Sequence, residues 1–258
     1  MKEFFGIGGY DRKAEGFLSP EHLIFVTSLM IIMIACAIIV GRRCRCLSDK
    51  AKNRPLVVAA LLIDFFEIFK IVFLCFRHEN PMQWIYELPL FLCSIHLITM
   101  PLAAFSRGRI KEAALDFVLI FGVLSAVLGT YGAGNNYGTY PVICFDNVVS
   151  GITHSLSGFA SLYIAISGMT SLKKKNVPIT FSILIGFCAA AGIANYVVDY
   201  NYMFLRRGDG TPYELLFTLV KGNAILYGFG VVLLFVLYIS AFYGVYFLIK
   251  AIRERSRA

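Results

Sequence analysis

Seven long apolar segments alternate along the chain with short polar connections. They cover approximately residues 23–40, 56–76, 84–105, 113–131, 148–168, 179–199 and 223–249. A helix that spans the roughly 30 Å hydrocarbon layer needs about 20 mainly apolar residues, because each residue rises about 1.5 Å. The pattern therefore predicts an all-α fold: a polytopic membrane bundle of about seven transmembrane helices.

The connections between these segments contain Gly, Pro, Asn and Ser, which are typical of loops, and no long linker occurs. One seven-helix domain is therefore predicted over residues 23–249. A polar N-terminal arm, flexible around the glycines of residues 6–9, precedes it at residues 1–22, and a basic tail follows at residues 250–258. The arm lacks the short apolar core of a removable signal peptide, so none is expected.

Basic residues are distributed unequally between the two sets of alternate connections. Residues 41–55, 106–112, 171–178 and 250–258 together contain sixteen Lys and Arg, whereas residues 1–22, 77–83, 132–147 and 201–222 contain seven. Short loops rich in Lys and Arg remain on the cytoplasmic side of a membrane. The asymmetry predicts that the N-terminus lies outside and the C-terminus in the cytoplasm.

The composition agrees with a membrane protein and excludes several soluble classes. Of the 258 residues, 58% are hydrophobic and 16% are charged, whereas soluble domains contain about 25% charged residues. The net charge of +8 follows from the basic loops, so we expect membrane lipids as partners and no nucleic acid. The seven cysteines are an odd number and argue against a disulfide framework. The sequence does not predict an oligomeric state.

Charged residues interrupt the second apolar segment. Asp64, Glu67 and Lys70 follow one another at a spacing of three, which places them along one stripe of a helix. Each charge near the centre of a bilayer costs about 2.5–3.5 kcal/mol on the insertion scale, so each needs a reason. Two interpretations remain open: an internal Glu67–Lys70 ion pair that fixes helix packing, or a stripe that lines a polar cavity.

Further polar residues lie in the later segments. Cys93 and His96 are in the third, His154 is in the fifth, and a last group occurs at the end of the sixth: Asn195, Asp199, Asn201 and Tyr202. With the predicted orientation, one set of these polar residues falls in the outer half of the membrane: Glu67, Lys70, Cys93, His154, Asn195 and Asp199. The shared level predicts a polar cavity that opens towards the outer leaflet.

The residue types in this cavity fit nucleophilic acyl transfer. A thiol in apolar surroundings becomes a nucleophile when an imidazole takes its proton, which indicates Cys93 as nucleophile and His154 as base, with His96 as a competing base. Oxyanion donors are expected from Asn195, Asn201, Tyr202 or a backbone N–H near Pro89. A metal site at Asp64, Cys93, His96 and His154 is disfavoured because no short-spaced ligand motif supports it, and no cofactor is expected.

Three motifs resemble those of the YwaF-like bacterial integral membrane proteins. They are the run Leu-Pro-Leu-Phe-Leu-Cys-Ser-Ile at residues 88–95, His154, and Asn-Tyr-Met-Phe-Leu at residues 201–205, within a similarity over roughly residues 55–250. That family is similar to an animal acyltransferase that remodels ether phospholipids through Cys and His, and more distantly to androgen-induced hydrolase-like lipases with Thr in place of Cys.

The resemblance implies that Cys93 is the nucleophile and that His154 is its partner. It also implies a multi-pass protein of the bacterial cytoplasmic membrane. The chain departs from the family pattern at two positions, Phe91, where His or Gln is expected, and Ser155, where Gly is expected.

Three hypotheses follow for the function. The first is a membrane-embedded acyl hydrolase or acyltransferase that acts on phospholipid-like substrates. The second is a transporter or channel for a small solute or ion, with a polar path along Asp64, Glu67, Lys70 and Asp199. The third is a non-catalytic membrane assembly or sensor protein.

Overall fold

The computed structural model describes residues 1–169, 172–209 and 211–255, apart from the side chain of Arg253. Within these ranges the chain is helical and contains no strand, which confirms the predicted all-α class. The α-helices are α1 (Lys2–Phe5), α2 (Pro20–Cys44), α3 (Asp49–Arg77), α4 (His96–Phe105), α5 (Gly108–Thr130), α6 (Gly134–Thr139), α7 (Phe145–Ser167), α8 (Val177–Val198), α9 (Glu214–Leu219) and α10 (Ala224–Arg255). Short 3-10 helices occur at Gln83–Glu87, Lys174–Asn176 and Tyr202–Phe204.

Among the described residues, five helical segments are long and apolar enough to cross a membrane: Pro20–Cys44, Gly108–Thr139, Phe145–Ser167, Lys174–Val198 and Ala224–Ile252. Two of the seven predicted spans are not in this set. The second lies in α3, which carries Asp64, Glu67 and Lys70, and the third contains only the ten-residue α4. The count of seven spans and the orientation of the termini stay predictions.

The third apolar segment is not the continuous helix that its hydropathy predicts over residues 84–105. A 3-10 helix ends at Glu87, the chain then turns through residues 88–95, and α4 begins only at His96. Pro89 explains the interruption, because it lacks an N–H group and disfavours the helical conformation at the preceding residue. Leu88 accordingly has φ −58° and ψ 146°. Cys93 therefore lies before the helix and not on it.

The described chain forms two compact units, residues 1–170 and 171–258, and each is considered by itself. In the first unit, α3, α4, α5 and α7 enclose an apolar core. Its buried residues include Leu56, Ile63, Met100, Val118 and Ile164. In the second unit, Tyr243 of α10 donates a hydrogen bond to Thr180 of α8, with 3.0 Å between the two hydroxyl oxygens.

Small residues allow α5 and α7 to approach closely. A Cβ atom at Gly122 would overlap the backbone carbonyl oxygen of Ser157 and the side chain of Ser161. Ser161 in turn donates a hydrogen bond to the carbonyl oxygen of Leu119, at 2.7 Å. Close approach of backbones through Gly and Ser is typical of helix packing in membranes. This contact sets the spacing between α5 and α7, the helix that carries His154.

The N-terminal arm contacts the helices on both sides of the glycines at residues 6–9, through Phe5 and Tyr10. Arg77 binds both carboxylate oxygens of Asp146, at 2.6 and 2.8 Å, and also donates to the carbonyl oxygen of Phe5 in the arm, at 3.2 Å. The hydroxyl of Tyr10 donates to the same carboxylate, at 2.7 Å. Bidentate Arg–carboxylate pairs are among the stronger hydrogen-bonded contacts in proteins. The Arg77–Asp146 pair therefore attaches the arm to the end of α3 and the start of α7.

A second carboxylate fixes the following part of the arm. Glu15 accepts a hydrogen bond from the backbone N–H of Val142, at 2.7 Å. Burial opposes the charge of Glu15, but this hydrogen bond and the nearby Arg12 hold the pKa of the carboxyl below its usual value. The ionised form is therefore the one that binds the loop.

Replacement of Gly122 by Ala should destabilise the first unit by about 1–3 kcal/mol, because the new methyl group meets a backbone carbonyl that cannot rotate away. Gly192→Ala is the matched control, since a Cβ at this glycine of α8 has open space around it. The unfolding temperatures of both variants in detergent measure the difference. Equal unfolding temperatures would show that the close approach of α5 and α7 does not limit stability.

Candidate functional site

An ammonium group between two carboxylates forms the charged centre of the first unit. Lys70 Nζ lies 2.6 Å from Glu67 Oε1 and 3.0 Å from Glu87 Oε2. The three side chains are 11–24% exposed. The structure thus contains the Glu67–Lys70 pair that the spacing predicts, and it adds Glu87, which the sequence analysis missed. Glu87 could have been recognised from the sequence, because it is an acidic residue two positions before Pro89 in a mainly apolar segment.

Asp64 is not part of this ion cluster, which we define as Glu67, Lys70 and Glu87. Its Oδ1 atom is buried and has no hydrogen-bond partner among the described residues. Asp64 and Glu67 lie one turn apart on α3, so only the second carboxylate reaches the lysine.

Cys93 lies in the turn that follows the ion cluster along the chain. Its thiol is partly buried, with Ser94 Oγ 4.0 Å from the sulfur. The interruption at Pro89 thus places the sulfur in a turn before α4 instead of aligning it along a regular helix.

His96 is fully buried at the start of α4 and holds the turn in place. Its Nδ1 atom lies 3.0 Å from the carbonyl oxygen of Cys93. Because a carbonyl oxygen only accepts, Nδ1 carries the proton, and in the neutral ring Nε2 then presents a lone pair. This Nε2 atom is buried and has no hydrogen-bond partner among the described residues. His96 therefore positions Cys93 and also presents an unused acceptor.

His154 projects from α7 towards α5. Its Nδ1 atom lies 3.4 Å from Ser125 Oγ, and a methyl group at Gly129 would overlap its ring. The absence of a side chain at Gly129 therefore creates the space for the imidazole.

The Cys93 thiol and the His154 ring make their side-chain contacts with different residues. Within the described residues, Cys93 and His154 make no hydrogen bond to each other; the thiol contacts Ser94 and the ring contacts Ser125. The described contacts group Glu67, Lys70 and Glu87 in one ion cluster and join His96 to the backbone of Cys93, whereas His154 lies against Ser125 and Gly129.

The remaining predicted site residues belong to the second unit, where they fix a loop. Asn195 donates to the carbonyl oxygen of Tyr202 at 3.0 Å and accepts from the N–H of the same residue at 2.5 Å. Asn201 donates to Asp209 at 2.7 Å, and Asp199 forms an ion pair with Arg206 at 2.5 Å. The amide of Asn195 therefore has both polar ends occupied, so its contacts are those of a loop anchor.

The part of the chain that the structure describes contains no group of potential metal ligands. No three His, Cys, Asp or Glu side chains of these ranges are arranged to hold a metal ion.

The fold and the site define a helical, multi-pass membrane protein with a partly buried polar centre. A model of the TMEM164 family, a family of membrane proteins, matches residues 17–243. The chain therefore belongs to the TMEM164 family. No curated protein and no solved structure matches the chain.

Replacement of Lys70 by Met should lower the free energy of unfolding by about 3–5 kcal/mol, because it leaves two carboxylates together without their cation. The control is the triple variant Glu67→Gln, Lys70→Met and Glu87→Gln, which removes all three charges. We expect it to recover most of the loss, since neutral groups avoid the cost of unpaired charge. Thermal unfolding in detergent distinguishes these outcomes, and a single variant as stable as the wild type would contradict a structural role of the ion cluster.

Proposed function

We propose that the protein is a membrane-embedded lipid acyl hydrolase or acyltransferase, with Cys93 as nucleophile and His154 as general base. The observation that supports the proposal is the turn that follows Pro89, where His96 Nδ1 lies 3.0 Å from the carbonyl oxygen of Cys93 and the thiol is not aligned along a regular helix. A thiol and an imidazole are the two groups that acyl transfer through a thioester requires, and the space at Gly129 holds the imidazole of His154 between α5 and α7.

The proposed reaction has two steps. In the first, His154 takes the proton of the Cys93 thiol, the sulfur attacks the ester carbonyl of the lipid, and the lipid alcohol leaves with that proton. In the second, the hydroxyl of water or of a lysolipid attacks the thioester, the carbon–sulfur bond breaks, and the hydroxyl proton ends on the sulfur. Cys93 and His154 return to their starting states in both cases.

Lys70 supplies positive charge to this reaction. An ammonium group has three N–H donors, and two of those of Lys70 are directed to Glu67 and Glu87. We assign the third to the oxyanion that forms when sulfur or oxygen attacks the acyl carbon. A fixed cation in a poorly solvated site stabilises such an oxyanion more strongly than water does.

His96 contributes to the second step in this proposal. Its Nδ1–H group donates to the Cys93 carbonyl oxygen, which fixes the tautomer of the neutral ring, so the Nε2 lone pair can accept a hydrogen bond from the attacking hydroxyl. The buried, unpartnered state of Nε2 supports this role. His96 and His154 therefore have different tasks, one at each half of the reaction.

The resemblance to YwaF-like proteins supports a phospholipid-like substrate, because that family is similar to a Cys/His phospholipid acyltransferase. Residues 88–95 and His154, which carry the resemblance, are also those that the proposed mechanism uses. The same resemblance supports the bacterial cytoplasmic membrane as the location, and the basic loops support a lipid that enters from the outer leaflet.

The contacts do not favour a transport path. That hypothesis needs Asp64, Glu67 and Lys70 to be available to a moving solute, whereas Lys70 is bound by Glu67 and Glu87. We therefore do not propose transport as a second function.

When the purified protein is incubated with a diacylglycerophospholipid, we expect an acyl adduct on Cys93 that hydroxylamine removes. Cys93→Ala should abolish the adduct, and His154→Ala should slow its formation by about 100-fold or more, because a positioned base contributes that much to proton transfer. Intact-protein mass spectrometry with time measures both effects.

Cys188→Ala, which removes a buried thiol of α8, is the matched control and should leave the adduct unchanged. An adduct that persists in the Cys93→Ala variant, or that never forms in the wild type, would contradict the proposed function.

A further inference from the structure

An open cleft with a volume of about 330 Å³ lies at the ends of α2 and α7, away from the residues of the candidate site. Both helices end beside it, α2 at Cys44 and α7 at Ser167. Two arginines and a set of small or apolar residues form its lining: Ile38, Arg42, Arg45, Ala165, Ile166 and Gly168.

The walls of the cleft are fixed by direct helix packing. A Cβ atom at Gly41 would overlap the side chain of Ile166, so α2 and α7 touch immediately beside the cleft. Arg42 and Arg45 are three positions apart and therefore project from the same face of the helical end. The contact at Gly41 directs that face to the space between the two helices.

The two guanidinium groups have no counterion among the residues that the structure describes. Neither Arg42 nor Arg45 forms an ion pair or a side-chain hydrogen bond with any described residue. A basic residue at a helix C-terminus is favoured by the helix dipole, and Arg43 meets that need equally well. The dipole does not explain why two of the three arginines line one cleft, whereas binding of an anion does.

The apolar residues that line the rest of the cleft indicate that a bound anion would also have an apolar part. Ile38, Ala165 and Ile166 give the cleft an apolar wall next to its two cations. Because α2 and α7 are both long and apolar enough to cross the membrane, their ends lie at the level of lipid headgroups. A ligand with an anionic head and an apolar body at this level is a phospholipid.

We propose that this cleft is a binding site for an anionic phospholipid, in which Arg42 and Arg45 bind the phosphate and the apolar wall contacts the start of the acyl chains. Guanidinium groups bind phosphate oxygens through paired, charge-assisted hydrogen bonds. The cleft lies on the side that the basic loops predict to be cytoplasmic, where juxtamembrane arginines attract anionic lipids. The site is independent of the proposed catalytic function.

The test uses the full-length protein in a neutral detergent and measures lipid binding by native mass spectrometry. Phosphatidylglycerol should bind more tightly than phosphatidylcholine. The double variant Arg42→Gln and Arg45→Gln should weaken phosphatidylglycerol binding by about 25-fold, since each arginine contributes roughly fivefold. Arg43→Gln is the matched control, because it removes the same charge from the same turn without changing the lining, and it should weaken binding by less than about twofold.

Two further measurements keep the result decisive. The unfolding temperature without lipid should be the same in wild type and variants, because exposed arginines without partners contribute little to stability. If the double variant does not fold, Arg45→Gln alone should show the fivefold loss of phosphatidylglycerol affinity. Inorganic phosphate at the same concentrations should not compete. An equal loss in the Arg43→Gln variant, no preference for phosphatidylglycerol, or equally strong binding of inorganic phosphate would each overturn the proposal.

Discussion

The position of the ion cluster constrains the rest of the first unit. Lys70 on α3 binds Glu87 at the end of a 3-10 helix, so it ties the interrupted segment to a long helix. A charge in apolar surroundings is stable only with its partners, and this requirement fixes the register of the turn that contains Cys93. The thiol therefore occupies a defined place, although the segment around it is not a regular helix.

The second requirement is space for His154, and the packing of α5 against α7 provides it. The close approach of α5 and α7 leaves no room for a side chain at Gly122. At Gly129 there is also no room for one, because the imidazole of His154 fills that space. Ser125 lies one turn before Gly129 on α5 and contacts Nδ1 of the ring. The small residues of α5 thus determine both the packing of α5 against α7 and the position of His154. A substitution that changes the packing should also move the imidazole.

The apolar segments predict the helical class and the approximate positions of the helices, because segment length and hydrophobicity are local properties. The Glu67–Lys70 pair was also predictable, since its spacing of three is local. Glu87 as a second partner depends on how the chain turns back after α3 ends at Arg77, so that the 3-10 helix Gln83–Glu87 reaches α3, and hydropathy does not encode that path. The docked N-terminal arm was missed for a similar reason: Arg77 and Asp146 are far apart in sequence, and only the fold brings them together.

The alkylation rate of the Cys93 thiol tests directly whether His154 activates this cysteine. In a variant that retains Cys93 and has the other six cysteines replaced by Ala, the rate of alkylation by iodoacetamide at pH 7 reports how readily the sulfur loses its proton. The account predicts that His154→Gln in this background slows alkylation by about tenfold or more, because the base is lost. Equal rates with and without the imidazole would contradict a working Cys93–His154 pair.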